Sequence, residues 1–190
     1  MVDVLGVSAK EYWTSERSKE YESKRNVQKT QERMTRELLA LQPVLGFVLD
    51  AGCGSGFSTR VLKQHARTIG IDISEHMCVL AREKGLDVVC ADFSRIPFKT
   101  GSFDFVVSIS ALQWATGRTR DELLIAYANV LFEFNRVLKS KGRVLLQFYP
   151  GTQAEFDVFL GLAKRWFKPA VHEVGSGKNA KRYVVLKKKK

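Results

Sequence analysis

A glycine-rich loop that follows directly on a short apolar stretch constrains the fold of this chain more than any other feature. The apolar stretch is Phe47-Val48-Leu49, and the loop is Asp50-Ala51-Gly52-Cys53-Gly54-Ser55-Gly56. The residues from Ser58 to Ala66 are typical of a helix. Glycines between a strand and a helix allow a sharp turn and let a ligand approach the backbone closely. The loop therefore predicts an α/β domain with a ligand site at the end of its first strand.

The alternation of strand and helix signals continues along the chain. Further strands are predicted over residues 68–73, 87–92, 103–109 and 143–149, with two last candidates over 170–174 and 182–186. Helices are predicted over 74–84, where Ser74 is the cap and Gly85 the stop, and over 120–138 and 152–167. Apolar strands with intervening helices are typical of a doubly wound, mainly parallel sheet covered on both faces.

The chain of 190 residues is expected to form one domain with a helical extension. Residues 9–41 are predicted to be helical and are closed by Pro43 and Gly46. We expect residues 1–46 to pack on a core domain of residues 47–186, with a basic tail over 187–190 and a mobile loop over 175–179. No apolar stretch suits a membrane span, and the first residues do not resemble a signal peptide. The three cysteines match no zinc signature, so no metal site is predicted.

Positive charge is concentrated near the C-terminus. The net charge of the chain is +11, and residues 161–190 contain ten lysines and arginines but only one acid, Glu173. Such asymmetry indicates a polyanionic partner, although a solubilising tail is an equally simple explanation for a terminal lysine run.

Three acids stand at the ends of three successive predicted strands, and they distinguish between two classes of ligand. The loop has the spacing G-x-G-x-G and not the G-x-G-x-x-G that holds a pyrophosphate. Asp50 is suited to an amino group, Asp72 to ribose hydroxyls, and Asp92 with Phe93 to an adenine. This set resembles the class I methyltransferases, so S-adenosylmethionine is expected as the cofactor and NAD is not. The resemblance also implies an antiparallel strand near the C-terminus.

Several stretches resemble one family more specifically, the bud-site-selection family of small-subunit rRNA guanine-N7 methyltransferases. The most telling are Ser108-Ile109-Ser110-Ala111-Leu112-Gln113-Trp114 and Gln31-x-x-Met34-Thr35. Similar stretches include residues 70–77, 97–104, 144–150 and 181–183, so the resemblance spans about residues 21–186. It implies methylation of a guanine in 18S rRNA during small-subunit biogenesis, in the nucleus, the nucleolus and the cytoplasm.

The resemblance also implies roles for particular residues. Gln113 and Trp114 would position the guanine, which needs no general base because N7 is already a lone pair. A turn contact for Gln113, core packing for Trp114 and a plain surface helix at the N-terminus are the structural alternatives. The residues expected at the cofactor are Tyr21, Arg25, Asp50, Gly52, Gly54, Gly56, Asp72, Ile73, Asp92, Phe93 and Ser108.

A partner subunit is expected at the third strand. In class I enzymes this strand lies at a sheet edge, and here residues 87–92 contain neither lysine nor proline to guard it. The family works with a small zinc-binding activator subunit, which is expected to pair with this strand. Three alternatives stay open: a tRNA or protein methyltransferase that shares the activator, a ribosome-assembly factor whose binding is essential, and a small-molecule methyltransferase.

Overall fold

Seven strands form a single sheet in the computed structural model, which describes residues 8–115, 119–176 and 180–189. The strands are β1 (Phe47–Ala51), β2 (Arg67–Asp72), β3 (Val88–Cys90), β4 (Phe103–Ile109), β5 (Leu138–Gln147), β6 (Phe167–Val174) and β7 (Lys181–Lys188). Their order is β3-β2-β1-β4-β5-β7-β6, and β7 alone runs antiparallel to its neighbours. This confirms the expected doubly wound, mostly parallel fold with its antiparallel strand near the C-terminus.

Helices cover both faces of the sheet. They are α1 (Ala9–Tyr12), α2 (Ser15–Ser23), α3 (Arg25–Leu41), α4 (Phe57–Leu62), α5 (Glu75–Glu83), α6 (Arg120–Val137) and α7 (Gln153–Ala163), with a 3-10 turn over Leu112–Trp114. No helix in the described ranges is both long and apolar enough to cross a membrane.

The core has two layers because successive strand residues point to opposite faces. On one face, Val48 packs with Met34 and Leu38 of α3. On the other face, Leu49 packs with Leu131 and Phe134 of α6, and further residues of α6 and α7 extend this cluster. The N-terminal extension thus contributes α3 to the core of the domain.

The N-terminal region, which was expected to be helical over residues 9–41, is divided into three helices. The chain leaves the helical conformation at Trp13 and Thr14 and again at Lys24. The Thr14 hydroxyl accepts a hydrogen bond from the amide of Arg17, so Thr14 caps α2 and starts a new helix. Nothing in the hydrophobic pattern of this polar segment reveals these breaks.

Several strand boundaries also differ from the expected ones. The third strand is limited to three residues, while β5 already begins at Leu138 and shifts its register against β4 between Phe103 and Phe105. Strand β7 continues to Lys188, so the expected basic tail over 187–190 is wrong for its first two residues. Residues 177–179 of the loop that was expected to be mobile lie outside the described residues.

Candidate active site

A cavity of about 500 Å³ opens at the carboxyl ends of the parallel strands. Its walls come from the glycine loop, the ends of β2 and β3, and the segment after β4, and the N-terminal helices cover it. This is the edge at which ligands bind to open α/β sheets. The cavity brings together eight residues that the sequence singled out: Tyr21, Gly52, Gly54, Asp72, Ile73, Asp92, Phe93 and Trp114.

Two glycines of the loop serve different purposes. Gly54 has a φ of +54°, and no atom lies within 4 Å of the place where a Cβ would stand, so the backbone faces open cavity. Gly56 has a φ of +90° and caps α4, and a Cβ there would come within 2.2 Å of the Leu86 Cδ1 atom. Gly54 therefore leaves room for a ligand, whereas Gly56 allows the loop to pack and does not line the cavity.

Asp72 lies at the end of β2, where the loop and α5 meet. Its carboxylate accepts hydrogen bonds from the amides of Gly54, at 2.8 Å, and Ser74, at 2.9 Å. Burial raises the pKa of this carboxyl, while the bonds from the amides oppose the rise. Each oxygen keeps a second lone pair, so the side chain is able to accept hydrogen bonds from hydroxyls of a ligand.

Asp50 is not in the cavity, contrary to its expected contact with an amino group. It is fully buried behind the loop, where its Oδ2 atom accepts hydrogen bonds from the hydroxyls of Ser58, at 2.6 Å, and Thr59, at 2.7 Å. Burial raises the pKa of Asp50 to about 6, and the charge of Asp72 adds to the rise. Asp50 ties the loop to α4, and its Oδ1 atom has no partner among the described residues.

Asp92 and Phe93 form the wall of the cavity beyond β3. The Asp92 carboxylate accepts a hydrogen bond from the amide of Ser94 at 2.7 Å, which orients it. Both side chains are half-buried and line the same cavity as Ile73. An acceptor beside an aromatic ring is suited to a purine with an exocyclic amine.

The N-terminal helices close the cavity with a cluster of aromatic rings that the sequence interpretation missed. The Trp13 ring lies 5.1 Å from Tyr21 and 5.8 Å from Trp114, and the Tyr12 ring lies 5.1 Å from Trp114. The Ser74 hydroxyl donates to the Trp13 carbonyl at 3.2 Å. Burial raises the pKa of the Tyr21 phenol to about 12, so the phenol is a neutral donor. Adjacent aromatics at 12 and 13 in a polar segment were the available signal.

Lys84 joins the N-terminal helices to the glycine loop, and no local sequence pattern indicates this role. Its ammonium lies 2.6 Å from the Glu22 carboxylate of α2 and donates to the Ser55 carbonyl at 2.7 Å. It also lies 4.7 Å from the centre of the Phe57 ring. Because Glu22 belongs to α2, while Ser55 lies in the loop and Phe57 directly follows it, Lys84 holds α2 against the loop.

Four other expected residues do not line the cavity. Arg25 is exposed at the start of α3, Gly56 packs against Leu86 at the last position of the loop, and Ser108 is buried in β4. The Gln113 amide donates to the Ser110 carbonyl at 2.8 Å, which is the turn contact that was the structural alternative. Trp114 does reach the cavity, and among the described lining residues it is the aromatic side chain that the segment after β4 contributes.

The chemistry of the lining favours one kind of ligand. In the part of the chain that the structure describes, neither lysine, arginine nor histidine lines the cavity, so no cationic side chain there complements a pyrophosphate. The acids, the open glycine backbone and the aromatic rings fit a nucleoside that carries positive charge. No group of three or more metal-binding side chains was found in the same described ranges.

Comparisons with known proteins agree with this geometry. The methyltransferase domain family matches residues 49–146. The 18S rRNA (guanine(1575)-N(7))-methyltransferase of Saccharomyces cerevisiae is 36% identical over 166 residues, which are 80% of this chain and 59% of the yeast protein. This confirms the resemblance noted from the sequence. A malonyl-[acyl-carrier protein] O-methyltransferase of Herminiimonas arsenicoxydans is 35% identical over 120 residues, 60% of this chain and 42% of that protein.

A solved structure with the same fold is a Haloferax volcanii methyltransferase in complex with the Trm112 methyltransferase activator. It has a TM-score of 0.65 and 18% identity, and the match covers 93% of this chain and 95% of that one. The chain spans little more than half the length of the yeast relative that it matches. Because the family match covers more than half of the 190 residues and includes the glycine loop and the ends of β2 to β4, the chain belongs to the methyltransferase domain family.

Proposed function

We propose that this chain transfers a methyl group from S-adenosylmethionine to N7 of a guanine in small-subunit rRNA. The observation that carries the proposal is a cavity with aromatic walls and acids but without a lysine or histidine base in its described lining. The name of the yeast relative supports the same substrate. Small-subunit biogenesis in the nucleus, the nucleolus and the cytoplasm is part of the proposal.

Bound S-adenosylmethionine supplies an electrophilic methyl group on a sulfonium. The lone pair of N7 forms the new bond to carbon, the bond from sulfur to carbon breaks, and its electron pair stays on sulfur. No proton leaves the base, so the protein needs only to position the two groups. Asp72 would hold the ribose hydroxyls, Asp92 and Phe93 the adenine, and Tyr21 would donate to the carboxylate of the methionine part.

Trp114 is the residue that we expect to stack on the target guanine. Its side chain is half-buried, lines the cavity and touches the Tyr12 and Trp13 rings. Stacking on an aromatic ring is worth roughly 1–3 kcal/mol per base. Replacing Trp114 by Ala should therefore lower the rate of rRNA methylation by about tenfold or more and change the cofactor affinity little. An equal loss of both would indicate a packing role.

The assignment is tested by mapping N7-methylguanosine in small-subunit rRNA from cells with and without this protein. We expect one modified guanine to disappear on deletion and to return with the wild-type gene. The purified chain is then supplied with labelled S-adenosylmethionine and with small-subunit rRNA, tRNA or malonyl-acyl-carrier protein. An unchanged rRNA map, or methylation of only another substrate, contradicts the proposal.

Binding and catalysis need to be separated, because an assembly factor would act through binding alone. An Asp72→Ala variant that cannot hold the cofactor should lose the rRNA modification. If this variant still restores small-subunit production, the essential role is binding, and catalysis is an additional activity of the same protein.

We further propose that a small zinc-binding activator subunit adds a strand next to β3. Strand β3 pairs with β2 on one side only, at the edge of the sheet. The Asp87 carbonyl accepts from Gly70 and the Ala91 amide donates to Asp72, so the amide of Cys90 points away from β2. The Haloferax volcanii methyltransferase with its activator supports a partner of this kind.

The direction of the Cys90 amide allows a matched test. Cys90→Pro removes the outward amide but no bond to β2, whereas Cys90→Ala keeps the amide and removes the thiol. We expect Cys90→Pro to abolish co-purification with the activator and Cys90→Ala to preserve it. Co-purification of the proline variant at wild-type yield would contradict strand pairing at this edge.

A further inference from the structure

A second cavity has a volume of about 390 Å³. Its walls come from α3, from the segment after β5, from residues 174–175 at the end of β6 and from residues 180–181 at the start of β7. The residues that line it are Arg33, Glu37, Tyr149, Val174, Gly175, Ala180 and Lys181.

Two connections place this second cavity next to the cofactor cavity. In α3, Gln31 lines the first cavity, and Arg33, two residues later, lines the second. After β4, Ser110 lines the first cavity and its hydroxyl donates to the Gln147 side chain at 2.8 Å. Tyr149 follows Gln147 by two residues and lines the second cavity. A chain bound across this edge is therefore able to reach both cavities.

The second cavity has more positive than negative charge. Arg33 and Lys181 both line it, and Glu37 is the acid among its described lining residues. Glu37 is already engaged, because it accepts a hydrogen bond from the Tyr183 hydroxyl and lies 3.8 Å from Arg33. The Lys181 ammonium has neither a hydrogen bond nor an ion pair to any residue in the described ranges, although the Glu37 charge acts on it.

Lys181 is held in an unfavourable setting for a cation. Partial burial lowers the pKa of its ammonium, and the neighbouring Arg33 lowers it further, while Glu37 opposes both effects. A bound anion would relieve the repulsion between the two cations. The planar guanidinium and the ammonium together are suited to phosphate oxygens.

We infer that this second cavity binds a backbone phosphate of the RNA substrate, next to the nucleotide whose base enters the cofactor cavity. The inference rests on the proposed function, and it names the contact that sets the register of the RNA. Phosphate contacts position a nucleic acid without reading its sequence. Tyr149, whose side chain is 44% exposed, lies at the same cavity and offers a face to a flanking base.

The test compares two lysines of the same strand. Lys181→Gln removes the charge at the cavity, and Lys187→Gln removes an exposed charge at the other end of β7. Binding of a single-stranded RNA from the methylated region is measured by fluorescence anisotropy at several salt concentrations, using the full chain. The affinity for S-adenosylmethionine is measured separately.

For Lys181→Gln we expect a weakening of RNA binding by about 3- to 10-fold, and a decrease of about 1 in the slope of log K against log salt concentration. The cofactor affinity should be unchanged, Lys181→Arg should restore binding, and Lys187→Gln should behave as wild type. An unchanged slope in Lys181→Gln, or an equal decrease in Lys187→Gln, overturns the phosphate subsite alone. A wild-type chain that binds no RNA at any salt concentration overturns the proposed function as well.

Discussion

Strand β7 has lysines at both of its ends, and these two ends lie on opposite sides of the domain. One end is next to the carboxyl ends of the parallel strands, which we call the cofactor edge, and the other end is away from it, at what we call the far edge. Because β7 runs antiparallel to β5, Tyr183 pairs with Gln147 at the carboxyl end of β5, and Lys187 pairs with Arg143, four residues closer to the amino end of that strand. Lys181 is therefore close to the cofactor edge, while the last lysines are at the far edge. The basic C-terminal segment of the sequence is thus not one continuous surface.

The far-edge lysines serve the fold. The Lys188 ammonium donates to the carbonyls of Asn135, at 2.6 Å, and Leu138, at 2.7 Å, at the end of α6. The Lys189 ammonium donates to the Lys164 carbonyl at the end of α7. Cations at helix C-termini satisfy carbonyls that have no partner within the helix. The comparison teaches that a charge run in a sequence indicates how much charge is present and not where it acts.

The largest expected effect belongs to the cofactor edge. Asp72→Ala removes acceptors for two ribose hydroxyls, and hydrogen bonds to a charged group are worth about 1.5–3 kcal/mol each. We expect the affinity for S-adenosylmethionine to fall roughly 100-fold or more. Calorimetry on Asp72→Ala, with Lys187→Ala as the far-edge control, checks this. A tenfold loss or less would mean that Asp72 serves mainly to order the loop.

A buried acid at the same edge gives a pH effect. The pKa of Asp50 is about 6 in the fold and 3.8 in the unfolded chain, so the fold favours the neutral form. Its stabilising contribution is present at low pH and is lost as the pH rises through 6. The loss amounts to about 3 kcal/mol. Asp50→Asn lacks this titration.

The measurement for Asp50 is urea unfolding of both proteins, without cofactor, from pH 4 to pH 7. We expect the free energy of unfolding of Asp50→Asn, relative to that of the wild type, to increase as the pH rises. A difference between the two proteins that is independent of pH would show that Asp50 is ionised throughout this range.

Substitutions at the two loop glycines are expected to differ in their effects. Gly56→Ala should affect mainly the stability of the fold, and Gly54→Ala should also affect ligand binding. Gly56→Ala should lower the free energy of unfolding by about 2–3 kcal/mol, because the left-handed backbone is strained and the new methyl meets Leu86. Gly54→Ala has the strain without the clash, so it should cost about 1–2 kcal/mol. It should also block cofactor binding. Thermal unfolding and calorimetry on both variants check this; wild-type cofactor affinity in Gly54→Ala would contradict the open face.

The smallest expected effect belongs to the far edge. Lys188→Ala leaves two carbonyls of α6 without their donor, which should lower the free energy of unfolding by about 1–2 kcal/mol. The RNA affinity and its salt dependence should be those of the wild type. Urea unfolding and anisotropy measure the two quantities. A loss of RNA affinity at constant stability would assign Lys188 to the substrate and remove the contrast between the two ends of β7.

The elements with strong local signals were predicted well. Strand β4 has the expected bounds of 103–109, and Ser74 caps its helix as expected, by accepting a hydrogen bond from the amide of Met77. The cavity residues Gly52, Gly54, Asp72 and Phe93 were also expected, because strand ends and glycine turns bring residues together by backbone geometry. The contacts by which Trp13 and Lys84 close the cavity join segments far apart in the chain, so hydrophobic periodicity and local spacing did not predict them.

By itself, the sequence determined the order of strands and helices, the ligand edge and the resemblance to guanine-N7 methyltransferases, because these depend on short-range spacing and hydrophobic periodicity. Only the tertiary structure decided that Asp50 is buried behind the loop, that Gln113 makes a turn contact and that the lysines of β7 are divided between two edges. The physical reason is that burial and charge proximity arise from residues far apart in the chain. The role of a buried or charged side chain therefore depends on the neighbours that the fold places around it.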